Sequence, residues 1–148
     1  MFYIISTFVA SLIGLVYFLL KVEAIPLSQS LLLWNLVFGV GFFGLFNFVG
    51  HSLLSKRVAK SIGWVSNGFQ KELGFMSLGL GINGILCFWL RDGLWLGTIL
   101  LTSIFLLAAA VIHIIEIKRE RNFNIGNTII LIPDILIPIL LISLYLLN

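Results

Sequence analysis

Five stretches of membrane-spanning length occupy nearly the whole of this 148-residue chain, which leaves it few ways to fold. Hydrocarbon offers no water to a free backbone N–H or C=O, so each stretch must satisfy its own hydrogen bonds as a helix. The spans read at 2–20, 29–54, 72–90, 94–117 and 128–147, each near the ~20 residues that cross ~30 Å at ~1.5 Å per residue. Charged residues make up 10% of the chain, against about 25% in soluble domains. The expected fold is therefore all-α, an integral membrane bundle of five transmembrane helices forming a single domain over 1–148. The first span could be taken for a signal peptide ending at Val22-Glu23-Ala24, but its apolar run is too long and no Lys or Arg precedes it. It reads as a retained helix.

An odd number of spans places the termini on opposite faces, and basic residues choose the orientation. Lys56, Arg57, Lys60, Lys71, Lys118, Arg119 and Arg121 fall in loops on one side, and only Lys21 and Arg91 on the other. The positive-inside bias puts the N-terminus in the cytoplasm and the C-terminus outside, in the inner (plasma) membrane of a prokaryotic cell. Trp34, Trp89 and Trp95 fall near the opposite ends of spans 2, 3 and 4, where an aromatic belt is expected. With the basic residues confined to short loops, the net charge of +3 reports topology and no nucleic-acid partner is expected. The lone cysteine, Cys87, excludes an internal disulfide and any CxxC motif, and is expected to face lipid or pack.

Between spans 2 and 3, Leu54, Val58, Ile62 and Val65 recur at helical spacing, with Lys56, Arg57 and Lys60 off that stripe. This predicts a short amphipathic helix on the membrane surface, broken at Ser66-Asn67-Gly68; the alternative is a basic loop held by anionic lipid. On span 3, Ser77, Gly81 and Gly84 form a small-residue stripe that suits close helix packing, within the chain or in a homodimer. Packing within the chain is the preferred reading.

The few ionisable residues inside the spans gather at one depth. His51 ends span 2, Glu72 opens span 3, His113 and Glu116 lie in the last turns of span 4, and Asp134 lies about two turns into span 5. Such groups are costly in a bilayer and tend to mark function. Asn47, Gln70 and Asn127 lie at a similar height, as hydrogen-bond partners for them. Three chemistries suit the set. A transition metal (Zn, Fe or Mn) is the first, because His113-x-x-Glu116 has the Glu/His spacing of metal-holding bundles in reverse order. A proton or cation relay is the second, and haem held by His51 and His113 the third. The plain alternative is that Glu72, Glu116 and His51 snorkel or cap helix ends. Asp134 resists that account, and Pro133 and Pro138 on either side of it free carbonyls near Ile129 and Asp134.

Asn47-x-x-x-His51, Ile62-Gly63-Trp64, Phe69-Gln70-x-Glu72-x-Gly74, His113, Gly126-Asn127 and Asp134-x-x-x-Pro138 together resemble a family of small uncharacterised prokaryotic multi-pass membrane proteins. The likeness covers Asn47 to Pro138. In that family proline precedes Phe-Gln, whereas Gly68 stands there in this chain. The resemblance implies a recurring polar design and carries no activity.

The functional expectation is a metal-binding or metal-dependent membrane protein using His51, Glu72, His113, Glu116 and Asp134. Its rivals are a small proton- or cation-coupled transporter and a non-catalytic subunit of a larger membrane complex. The expected partners are the lipid bilayer and a homo-oligomer or such a complex. No GxGxxG, P-loop or nucleophile-elbow motif is present, so catalysis is left open.

Overall fold

The computed structural model of the chain describes residues 2–148. All regular structure among them is helical: α1 (Phe2–Leu19), α2 (Leu27–Leu53), α3 (Ser55–Ser61), α4 (Gly68–Leu86), α5 (Gly93–Arg119) and α6 (Ile125–Leu146). Three of these, α2, α5 and α6, are long and apolar enough to cross a membrane. The apolar part of α1 is shorter, Tyr3–Leu19, and α4 spends its first turns on Gln70, Lys71 and Glu72. Helix α4 begins a turn before the expected span because Asn67 caps it, its side chain accepting from the Gln70 N–H.

The interior is built around α2. On one side it pairs with α1, where Ser30 donates to the Gly14 carbonyl at 2.7 Å and the two backbones meet closely. On the other it meets α4 along Gly41, Gly44, Gly81 and Gly84, where a Cβ on Gly84 would come within 2.6 Å of the Gly41 nitrogen. The small-residue stripe is thus used within the chain, as preferred from sequence. Helix α4 lies mainly on α2 and only lightly on α5, while α5 pairs with α6. Leu32, Leu33, Leu36, Val40, Trp95, Ile99, Leu106 and Leu141 fill the core between them.

Three features depart from expectation. Trp95 does not join an interfacial belt: it is buried, and its Nε1–H donates to the Cys87 carbonyl at 2.8 Å, closing the α4–α5 corner. Cys87 itself is fully buried there beside Thr98. The amphipathic helix stops at Ser61, since Gly63 takes a left-handed φ of 77° that ends it, and Val65 is left 90% exposed. Helix α2 also contains two π-helical stretches, Asn35–Val40 and Val49–Leu53, wider turns that shift the helix phase and often accompany functional positions. His51 lies in the second.

Candidate functional site

Asn47 and His51 on α2, Ile104 to His113 on α5, and Ile130 and Asp134 on α6 enclose a cavity of about 450 Å³. Val58 of α3, with Ile62 and Trp64 just beyond its end, closes one side of it, so the apolar stripe begun on that short helix turns toward the cavity. Gly126 enables this closure: a Cβ there would reach 2.5 Å from the Ser61 carbonyl oxygen, so only glycine lets the start of α6 dock on the end of α3. Tyr3, from α1, completes the wall, its ring edge-on to Phe43 and its hydroxyl donating to Asn47 Oδ1.

Of the five residues expected at the site, His51, His113 and Asp134 line this cavity. Glu116 does not, because it follows His113 by nearly a turn and lies beyond the part of α5 that forms the wall. Glu72 is exposed, although its neighbour Leu73 reaches the cavity. Among the described residues, no three His, Cys, Asp or Glu side chains are grouped to hold a metal ion. Tyr3 and Trp64 were missed as wall residues. Tyr3 carried a usable signal, since an N-terminal helix starting on the basic side places its first polar residue in the same layer as His51.

The three amides expected as partners serve the groups at this layer, and they fix how the imidazoles present themselves. Asn127 is fully buried and donates through Nδ2 to the carbonyls of Asn122 at 3.0 Å and His113 at 3.5 Å. Its Oδ1 is therefore an acceptor, so His113 Nδ1, 2.6 Å away, carries the hydrogen and Nε2 keeps the lone pair. Gln70 donates through Nε2 to the Ser55 carbonyl at 3.0 Å and meets His51 Nδ1 at 3.3 Å. In neutral His51 the lone pair thus lies on Nδ1 and the hydrogen on Nε2, the reverse of His113. The Trp64 indole stacks on the His113 ring at 5.3 Å and 26°, holding its plane.

Asp134 is 3% exposed, and its Oδ2 has no hydrogen-bond partner among the described residues. The two stretches of α6 join at Ile130, which keeps helical backbone angles and accepts from the Asp134 N–H at 3.2 Å. Among the described residues the cavity lining thus carries the His51 Nε2–H and the unpartnered Trp64 indole N–H as donors, the His113 Nε2 lone pair, the Asn47 amide and the Asp134 carboxylate, set in apolar walls with no Lys or Arg.

Far from the cavity, the loops beyond α1 and α4 are tied by Glu23 and Arg91 at 2.6 Å. The guanidinium holds the Glu23 carboxyl below its ordinary range and lies 5.7 Å over the Trp95 ring.

Fold and site together define an all-helical protein, three of its helices long and apolar enough to cross a membrane, with a largely apolar cavity that gathers a few polar side chains among them. The chain belongs to a family of unknown function, DUF6790, whose model matches residues 1–148. No curated protein and no solved structure matches it.

Proposed function

We propose that this is a five-span membrane protein, N-terminus in the cytoplasm, that binds a small organic cation in the cavity and couples its binding to proton transfer. The unpartnered carboxylate oxygen of Asp134, buried in a cavity wall shared with two imidazoles of opposite tautomer, carries this reading. A carboxylate so placed is costly while ionised and unpaired, and either a proton or a bound cation relieves the cost. His113 Nε2 is the acceptor for the proton that Asp134 gives up as the cation binds, and His51 Nε2–H offers a hydrogen bond. The seven-to-two distribution of Lys and Arg supports the orientation and the plasma-membrane location.

Methylammonium binding in lipid nanodiscs tests this, measured calorimetrically in buffers of different ionisation enthalpy so that proton release is read directly. Wild-type protein should bind with proton release, and Asp134→Asn should weaken binding about tenfold or more. Equal binding by both proteins overturns the assignment.

A resident transition metal (zinc, iron or manganese) is the second reading, favoured by one observation. The Asn127 clamp on His113 Nδ1 leaves Nε2 free, which is how ligating histidines are commonly held. Protein purified without a His-tag or chelator would then carry metal in stoichiometric amount, lost in His113→Ala and kept in Glu120→Ala. Trace metal after metal-replete growth ends this reading.

A further inference from the structure

The cavity does not stop at its polar groups. Phe105 is a wall shared with a second space of about 290 Å³, lined by Phe75, Met76, Ser77, Gly79, Leu80 and Asn83 of α4 and by Leu101 of α5. This groove follows the line where α4 and α5 touch only lightly. A Cβ built on Gly79 meets nothing within 4 Å, so the space beside it is open. The side chains at its mouth are apolar and turned outward: Met76 is 72% exposed and Phe75 62%. In a bilayer those surfaces face acyl chains.

We infer that the occupant is a monocationic amphiphile, an alkylamine with an apolar chain, which enters sideways from the bilayer between α4 and α5. Its ammonium lies on Asp134 and its chain along the Phe75–Leu101 groove. The inference rests on the cation reading above and deepens it. Charge complementarity selects the head: among the described residues Asp134 is the only carboxylate in the cavity wall, and no Lys or Arg opposes a cation there. Groove and cavity meeting at Phe105 select the tail. A wholly polar solute would leave the groove's apolar lining unused, and a neutral lipid would leave the Asp134 oxygen unpaired. Access through the bilayer also suits Trp64, Val58 and Ile62, which close the aqueous side of the cavity at α3.

A long-chain alkylamine carrying a diazirine at its terminal carbon tests this in nanodiscs, with the matching alkyl alcohol as uncharged control and labelled residues located by peptide mass spectrometry. The amine should label Phe75–Asn83 and Leu101–Phe105 in preference to other lipid-facing residues, and the alcohol should not. Asp134→Asn should reduce this preference about tenfold or more, as expected when one partner of a desolvated ion pair is removed. Gly79→Trp, which fills the groove without touching the cavity, should abolish it while methylammonium binding persists. Leu101→Trp repeats the test from the facing helix. Labelling spread evenly over lipid-facing positions, or equal labelling by amine and alcohol, overturns the inference. If methylammonium binding stays dependent on Asp134 in that case, the cation reading stands without the amphiphile; if it does not, both fall.

Discussion

The two flanks of α4 are built on opposite principles. Toward α2, glycines at Gly41, Gly44, Gly81 and Gly84 bring the backbones so close that no side chain fits between them. Toward α5, Gly79 faces open space and the helices part into a groove that shares its Phe105 wall with the cavity. Both flanks use glycine, yet one removes side chains so that helices may touch and the other so that something else may enter. Helix association in a bilayer rests on van der Waals packing, because lipid tails already solvate apolar side chains. A helix held firmly on one flank can therefore leave the other open at little cost.

Matched substitutions on one helix should separate the two flanks most sharply. Gly81→Leu would drive a side chain into the α2 backbone, where even a Cβ lies 2.9 Å from the Gly41 carbonyl oxygen. It should cost about 3 kcal/mol or more, the upper range for overpacking, read as loss of the monodisperse peak and a lower Tm in detergent. If Gly81→Leu is tolerated, the seam is not what holds α4.

The next effect concerns the groups that the open flank leads to. Asn127→Leu strips the acceptor from His113 Nδ1–H and the donor from the Asn122 carbonyl, a loss of roughly 1–3 kcal/mol per buried group. Asn127→Asp retains the acceptor and should recover part of the loss. Thermal unfolding of the two variants side by side checks this, and equal stability would mean that the clamp is idle.

Gly79→Ala should act in the opposite sense and more weakly. With no neighbour to clash and a helix interior to stiffen, it should raise stability by roughly 0.5–1 kcal/mol. A destabilised Gly79→Ala protein would mean that the groove is closed by contacts between α4 and α5.

The smallest effect lies at the far end, where Trp95 and Cys87 pin the α4–α5 corner and Glu23 grips Arg91. The Glu23 pKa is lowered in the folded protein, chiefly by its hydrogen bond to Arg91, so the pair's contribution is fully present above the ordinary carboxylate range and is lost as pH falls through the lowered value. Partly exposed pairs contribute roughly 0–1 kcal/mol, so the decline should be slight. The acid-side change in Tm should disappear in Glu23→Gln; if that variant retains the full change, other carboxylates cause it.

The depth argument from sequence brought His51, His113 and Asp134 to one cavity and placed Glu116 and Glu72 there too, which the structure does not. Depth along a helix can be counted from residue numbers, but azimuth needs an unbroken helical phase. Glu116 lies beyond the part of α5 that forms the wall and Glu72 on an exposed face of α4, and both outcomes depend on which neighbouring helix each surface meets. The asparagine and glutamine partners were legible because they lie at the same height. Their specific pairings, Asn127 with His113 and Gln70 with His51, arise from contacts between separate elements.

By itself the sequence determined that this chain is helical, that it is apolar enough for a bilayer and that its polar groups gather toward one face. Those properties follow from composition and from rise per residue, which are local. Only the tertiary structure decided that α4 seals against α2 and opens toward α5, that Val58 and Ile62 turn to the cavity, and that Tyr3 and Trp64 join its wall. Each of these depends on which helix faces which, and where every surface is apolar, hydrophobicity cannot choose a partner; the choice falls to the fit of backbone against backbone.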